Sequence, residues 1–261
     1  MAIYGFDMRP ISRLNDGSVV CKTAYILRDD IYDQYQGKTH CYKSYKKDLL
    51  YSNVLIPDYA PRRLLELNTL LMEIDRAEKR LDARTGRMVR LTLPNDKEFS
   101  ENDWIELTVR FVKEAFISHG MCAIIAIHEG RNEENPAKNN PHAHVLLTDR
   151  PVNAEGFCRT KNRDWNRVEF LIKCRALWSE MQNRAFHERE MEVRVSHESL
   201  EVQGIDREPT RPLGREATAL ERKGIQTEIG NRNRKILQKQ EEEERERQLR
   251  RERHRQHERS R

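Results

Sequence analysis

The 261-residue sequence has no apolar segment close to the roughly 20 residues that cross a bilayer, and its N-terminus lacks the apolar core of a signal peptide. We therefore expect a cytoplasmic protein without membrane insertion. The five cysteines form no CxxC pair, which argues against a zinc knuckle or a disulfide framework and leaves reduced, mostly buried thiols. An HExxH helix of the metalloprotease type is also missing.

Net charge is absent from most of the chain. The formal charge is +5, but residues 230–261 hold 12 Lys+Arg against 7 Asp+Glu, so the preceding residues carry 36 of each sign. This balance excludes the uniform positive field of many nucleic-acid-binding proteins. Any nucleic-acid surface on the body must be a local cluster of cations.

Tyrosine is absent after residue 59, although eight tyrosines precede that point. A tyrosine nucleophile, if the chain uses one, therefore comes from this end. Residues 37–47 interleave four lysines, among them Lys43, Lys46 and Lys47, with two tyrosines and a histidine. This combination is typical of single-stranded nucleic-acid binding, in which the cations contact the phosphate backbone and the aromatic rings stack on the bases. A solvated basic loop has the same composition.

Hydrophobic periodicity predicts an α+β fold, an antiparallel sheet of about five strands with helices packed on it. The predicted strands are residues 2–10, 88–93, 121–127, the segment opened by His142, and 191–195. The predicted helices are residues 18–28, 61–84, 100–117, 164–188 and 216–223, while residues 30–59 are predicted to be irregular. We expect one domain over residues 1–208, and a polar linker with a charged, Glu/Arg-rich helical tail over residues 209–261.

The most informative stretch is Asn140-Pro141-His142-Ala143-His144-Val145. Alternation along a strand places His142 and His144 on one face and Ala143 on the other. The preceding strand ends on His128, which faces His142 if the two strands pair as a hairpin. Three imidazoles would then converge on one divalent cation, leaving coordination positions open. Surface histidines at strand ends are the alternative.

Several motifs along the body resemble the MobA/MobL, or MobQ-type, plasmid relaxases of the HUH endonuclease superfamily. They cover residues 2 to about 230 and are Ala2-Ile-Tyr, Ala24-Tyr25, Gly37-Lys-Thr-His40, Ala77-Glu-Lys-Arg80, Gly120-Met121, Ala126-Ile-His128, Asn140-Pro-His-Ala-His-Val145, Gly156-Phe157 and Gln203-Gly-Ile205. The combination is specific, whereas the His-Ala-His element alone is not.

This resemblance implies a palm-like HUH sheet that binds one Mg²⁺ or Mn²⁺ through His128, His142 and His144. Tyr25 matches the family's nucleophile, which attacks the scissile phosphate of a single-stranded origin of transfer and forms a 5′-phosphotyrosine link with a free 3′-OH. The strand is later religated, and accessory relaxosome and coupling proteins are the expected partners. A hairpin beside the nic region completes the expected DNA substrate.

Three alternatives stay open at the sequence level. A rolling-circle replication initiator would use the same chemistry at a different origin. A non-catalytic origin-binding repressor would keep the fold, and a metal-dependent hydrolase would use water in place of tyrosine. The proton acceptor for the tyrosine is also open, with Asp75 and Glu78 as candidates on the first long helix.

Overall fold

The computed structural model describes residues 4–14, 17–44, 48–95, 99–130 and 139–259. The chain divides into two compact units, Met1–His197 and Glu198–Arg261. The domain boundary predicted after residue 208 lies inside the second unit.

Unit 1 contains seven described strands and four described α-helices. The strands are β1 (Phe6–Ser12), β2 (Ile31–Asp33), β3 (Lys38–His40), β4 (Leu49–Leu55), β5 (Arg84–Thr92), β6 (Ala123–His128) and β7 (His142–Thr148). The helices are α1 (Val19–Leu27), α2 (Leu67–Ala77), α3 (Glu101–Ala115) and α4 (Val168–His187). Short 3-10 turns cover Arg62–Leu65, Ile117–His119 and Arg163–Asn166.

Five strands form one sheet in the order β1-β5-β7-β6-β4, and every neighbouring pair in it is antiparallel. Strands β2 and β3 form a separate antiparallel hairpin. The predicted α+β class with a five-stranded antiparallel sheet is therefore confirmed.

Helices cover both faces of the sheet. On one face, α3 and α4 bury Phe111 and Trp178 against Val145 and other inward residues of the central strands. On the opposite face, α1 and α2 pack over a second cluster that includes Ile124 and Leu146. Because both faces are covered, β6 is buried along its whole length and reads as a continuous apolar segment rather than an alternating one.

The prediction is wrong for one strand of the sheet. Residues 191–195 do not form a strand; the backbone of Val195 instead bonds to the side chains of Asn183 and Ser179 on α4. The fifth strand is β4, which lies in the segment predicted to be irregular and pairs with β6 at the sheet edge. Its polar centre, Ser52-Asn53, is exposed, and this interrupts the apolar alternation that marks strands in sequence.

The first long helix is also shorter than predicted. A 3-10 turn follows Pro61, and Glu66 then caps α2 by accepting hydrogen bonds from Asn68 N and Thr69 N. The helix ends at Ala77, and Leu81, which continued the apolar stripe in the sequence, is 75% exposed. The residues from Arg84 onward pair with β1, so β5 is longer than predicted.

Other boundaries agree with the sequence. Ser18 caps α1 by accepting from Cys21 N, and Ser100 and Asp103 form the predicted capping box at the start of α3. Strand β1 is an exception, because it begins at Phe6 and not at the predicted residue 2; residues 2 and 3 lie outside the described part of the chain.

The five cysteines are free, but the prediction that most are buried is wrong. Only Cys122 and Cys174 are buried, and burial raises the pKa of each thiol to about 12. Cys41 is exposed, because it follows the short hairpin strand β3 instead of facing the core.

Unit 2 contains α5 (Gly214–Arg222) and α6 (Glu228–Arg259), as predicted for a short helix followed by a charged helical tail. Glu221 joins the two helices by accepting hydrogen bonds from Thr227 N and Arg234 Nη1. Among the described residues, none of the helices is both long and apolar enough to cross a membrane.

The aromatic core under α3 gives a stability prediction. Phe111 is fully buried, and its ring lies 5.0 Å from Trp178 and 5.6 Å from Phe116 between ring centroids. Phe111→Ala should lower the free energy of unfolding by about 3–5 kcal/mol, since it removes apolar contacts and leaves a cavity. Urea unfolding followed by circular dichroism measures this, with Ile172→Ala on the exposed face of α4 as the control. Equal losses in the two variants would contradict the packing.

Candidate active site

The β6–β7 pairing brings the three predicted histidines together. His128 lies directly opposite His142, and His144 lies opposite Ala126. Alternation places all three rings on the face covered by α1 and α2, while Ala143 packs in the core under α3 and α4. The ring centroid of His144 is 5.0 Å from that of His142 and 5.3 Å from that of His128.

Hydrogen bonds set the proton positions on two of these rings. Nε2 of His128 lies 2.8 Å from the carbonyl oxygen of Ile26, which only accepts, so the neutral ring carries its proton on Nε2. Nδ1 of His128 then accepts from Nη2 of Arg28 at 3.2 Å. Nδ1 of His142 donates to the carbonyl of Asn140 at 2.7 Å, which leaves a lone pair on Nε2.

Burial keeps the three imidazoles uncharged at neutral pH. Desolvation lowers the pKa of His128 and of His142 below the usual value for histidine. The pKa of His144 falls to about 3, because burial is reinforced by the neighbouring His142 and His128. The cluster therefore presents neutral rings with lone pairs, the form in which histidine binds metal ions.

The donor chemistry of the cluster fits a divalent cation. Nδ1 of His144 is buried and has no hydrogen-bond partner among the described residues, which is uncommon for a buried nitrogen. Both nitrogens of His128 are hydrogen bonded, and no three His, Cys, Asp or Glu side chains of the described ranges are arranged as a complete ligand group. A cation held by all three rings would therefore replace one hydrogen bond of His128.

Tyr25 lies on the last turn of α1, beside the cluster. Its ring is 41% exposed and meets the ring of His144 edge-on at 6.4 Å between centroids. A second edge-on contact, at 5.6 Å, is made by Tyr42. Ala24, which from the sequence would leave room beside Tyr25, is fully buried in the core instead. Among the eight tyrosines, Tyr25 is the one that the described contacts place against these histidines.

Arg28 connects the tyrosine to the histidines and was not predicted from the sequence. It ends α1 with φ at 55°, in the left-handed region that favours glycine. Its Nη1 donates to the carbonyl of Tyr25 at 2.7 Å, and its guanidinium carbon lies 4.7 Å from the centroid of the Tyr25 ring. Nη2 of the same side chain reaches His128, so one guanidinium contacts the tyrosine and the cluster.

Asp48 holds this arginine in place and was also missed. Its Oδ1 accepts from Nε of Arg28 at 3.0 Å and lies 3.2 Å from Nδ1 of His128. Burial alone would raise the pKa of Asp48, but the hydrogen bond from Arg28 holds it below its usual range. The sequence signal was weak, since Asp48 follows the lysine-rich segment and appears there as one acid beside several cations.

The lysine cluster is only partly described. Lys43 is 75% exposed in its side chain and lies 3.5 Å from a carboxylate oxygen of Asp29. Lys46 and Lys47 lie outside the described residues. On the adjacent β2–β3 hairpin, Tyr32 and Tyr35 are exposed by 59% and 48%.

The two carboxylates considered as proton acceptors both form ion pairs. Asp75 lies 2.9 Å from Nη2 of Arg13. Glu78 is buried and lies 2.6 Å from Nε of Arg150. Neither is a simple solvated helix residue, and the contacts of both are with cations other than Arg28.

The Arg28–Asp48 pair gives a testable coupling. Its side chains are only 13% and 10% exposed, so removing one partner leaves a poorly solvated charge. Asp48→Ala should lower the free energy of unfolding by about 3 kcal/mol, and the Arg28→Ala/Asp48→Ala double variant by less than the sum of the single losses. Urea unfolding in the presence of a chelator measures the cycle. The exposed Lys43–Asp29 pair is the control, with a coupling under about 1 kcal/mol; additive losses at Arg28 and Asp48 would contradict the contact.

Comparison with known proteins identifies the family of this chain. Residues 17–223 match the model of the MobA/MobL family. A probable mobilization protein MobA of Bifidobacterium longum (strain NCC 2705) is 26% identical over 90% of this chain and 47% of its own length. Mobilization protein MobL of Acidithiobacillus ferridurans is 27% identical over 85% of this chain and 65% of its own length.

A longer relative and one solved structure are also similar to this chain. Conjugal transfer protein TraA of Rhizobium radiobacter is 28% identical over 87% of this chain but only 22% of its own length. A structure described as the molecular basis of vancomycin resistance transfer in Staphylococcus aureus aligns with a TM-score of 0.67 and 28% identity. It covers 76% of this chain and all of its own. The chain thus spans about half to two thirds of the length of the MobA and MobL proteins named above, and it belongs to the MobA/MobL family.

Proposed function

We propose that this chain is a DNA relaxase domain that nicks one strand at a plasmid origin of transfer, with Tyr25 as the nucleophile. The observation that carries the proposal is the edge-on contact of the exposed Tyr25 ring with His144, in a cluster where His128 is buried and His142 and His144 are half-buried. The family of mobilization proteins supplies the context, and single-stranded origin DNA with its hairpin is the proposed substrate.

The proposed reaction exchanges one phosphodiester for another. The phenol oxygen of Tyr25 attacks the scissile phosphorus, the bond from phosphorus to the 3′ oxygen breaks, and the 3′ oxygen leaves as a hydroxyl. The product is a 5′-phosphotyrosine link, which keeps the bond energy that hydrolysis would lose. Attack by the same 3′-OH reverses the step and rejoins the strand, so no nucleotide cofactor is required.

His128, His142 and His144 are the residues proposed to hold one Mg²⁺ or Mn²⁺. When bound, such a cation supplies positive charge to the oxygens of the scissile phosphate. The unpartnered Nδ1 of His144 and the lone pair on Nε2 of His142 support this assignment. Histidine binds a metal ion through an uncharged ring, and burial favours the uncharged form of His142 and His144 by lowering their pKa.

Arg28 is proposed as a positioning residue for Tyr25. Its guanidinium lies over the tyrosine ring and bonds to the backbone of the same residue. These two contacts restrict the orientation of the Tyr25 side chain, and attack on phosphorus requires a fixed orientation of the nucleophile. Asp48 keeps the arginine in this orientation.

Conjugative mobilisation also implies protein partners. Accessory relaxosome proteins and a coupling protein are the proposed ones, by analogy with the mobilization and conjugal transfer proteins that this chain resembles.

Replacing the proposed nucleophile gives a direct test. Tyr25→Phe removes only a hydroxyl, so the variant should bind origin oligonucleotides normally yet give no cut strand and no protein–DNA adduct on a denaturing gel. Tyr42→Phe is the matched control, because its ring touches that of Tyr25. Mass spectrometry of the digested wild-type adduct should find the nucleotide on Tyr25. A modified peptide carrying another tyrosine, or cleavage without an adduct, would refute the assignment.

Metal binding is tested separately from cleavage. His144→Ala should weaken Mn²⁺ binding by about 100-fold or more, since even the loss of an outer-shell partner costs 10–100-fold. Titration calorimetry on the DNA-free protein measures the affinity. His187→Ala, at the exposed end of α4, should bind Mn²⁺ as the wild type does. Equal affinity in the His144 variant and the wild type would remove His144 from the proposed ligand set.

A further inference from the structure

A strongly basic pocket lies at the end of the sheet opposite the histidines. It has a volume of about 690 Å³ and is formed by the end of α2, the turn into β5, and the segment after β7. Seven Lys or Arg and three Asp or Glu side chains line it. Because the body of the chain carries no net charge, this excess of four cations is a local concentration.

Buried ion pairs fix one wall of the pocket. Glu78 is 5% exposed and lies 2.6 Å from Nε of Arg150 and 3.0 Å from Nζ of Lys161. Asp149, which is also buried, lies 2.9 Å from the same Lys161 nitrogen. Arg150 further donates to the carbonyl of Arg159. These contacts hold the two lining cations in defined positions instead of leaving them to sample the solvent.

The open side of the pocket carries the uncompensated charge. Arg76, Lys79, Arg80, Arg84 and Arg159 all line it and are exposed. The remaining lining carboxylate, Asp82, lies 3.3 Å from Nε of Arg80, and both of these side chains are well exposed. A ligand with several negative charges is therefore the class that this pocket fits.

The distance to the candidate active site suggests what that ligand is. Strand β7 carries His142 at one end, and Asp149 follows its other end. At about 3.3 Å per residue the pocket is roughly 20 Å from the histidines. That is about six base steps at 3.4 Å each along a duplex strand, so one DNA molecule is long enough to reach both places.

We propose that this pocket binds the phosphate backbone of the DNA substrate at a point remote from the scissile phosphate. The inference rests on the proposed function, because it takes DNA as the polyanion. The pocket adds phosphate contacts that position the strand, and it includes none of the residues assigned to cleavage. The body of the chain thus gains affinity for DNA from a cluster of cations rather than from its net charge.

Salt dependence of binding tests the pocket. Lys79→Gln/Arg159→Gln removes two exposed charges, and fluorescence anisotropy follows binding of a labelled 30-nucleotide oligothymidylate over a range of salt. Each lost phosphate contact lowers the log–log slope by about 0.7 on single strands, so the expected decrease is about 1.4. Lys113→Gln/Lys173→Gln on α3 and α4 is the matched control, exposed on the opposite face of the sheet and expected to keep the wild-type slope. An unchanged slope, or an equal decrease in the control, would overturn the proposal.

Acetylation without the Lys79 and Arg159 substitutions provides a second measurement. The 30-nucleotide strand should protect Lys79, but not Lys113, from acetic anhydride, as read by mass spectrometry. Protection of Lys79 by pyrophosphate but not by the strand would assign a small-anion site and overturn the proposal. Both measurements follow binding in the Tyr25→Phe background, where no covalent adduct is expected, so failure of the pocket and failure of the proposed cleavage chemistry are observed in separate experiments.

Discussion

The register between β6 and β7 is the constraint on which the candidate site depends. A shift of one residue would turn every side chain of a strand to the opposite face. His142 and His144 would then replace Ala143 and Val145 in the hydrophobic cluster under α3 and α4. The apolar packing on both faces of the sheet therefore fixes the position of the histidines, and the histidines themselves need not stabilise the strands.

Electrostatics in this region follows from burial. Desolvation removes the charge from the three imidazoles, while Arg28 and Asp48 keep theirs because they form a pair. The site therefore places one fixed cation–anion pair beside a group of neutral donors. That arrangement leaves the histidines without competition from protons at neutral pH, and it places positive charge near the Tyr25 ring.

Elements with a clear local signal were predictable from the sequence. The capping box of α3, the helix that carries Tyr25 and the hairpin of β6 and β7 all depend on contacts between residues close in the chain. Strand β4 was missed because its pairing with β6 is long-range and its own alternation is broken. Arg28 and Asp48 were missed for a related reason, since their roles exist only when separate segments meet at His128.

The left-handed backbone of Arg28 indicates what the end of α1 is adapted for. Glycine would adopt φ near 55° without strain, whereas a residue with a Cβ costs about 1–2 kcal/mol in that region. Backbone preference alone would therefore favour glycine at this helix end. The chain retains a long charged side chain instead, and its guanidinium contacts Asp48, His128 and the Tyr25 ring. Position 28 is thus a place where conformational preference has been traded for side-chain chemistry. Glycine there would relieve the backbone but would leave Asp48 without its partner and Tyr25 without the guanidinium.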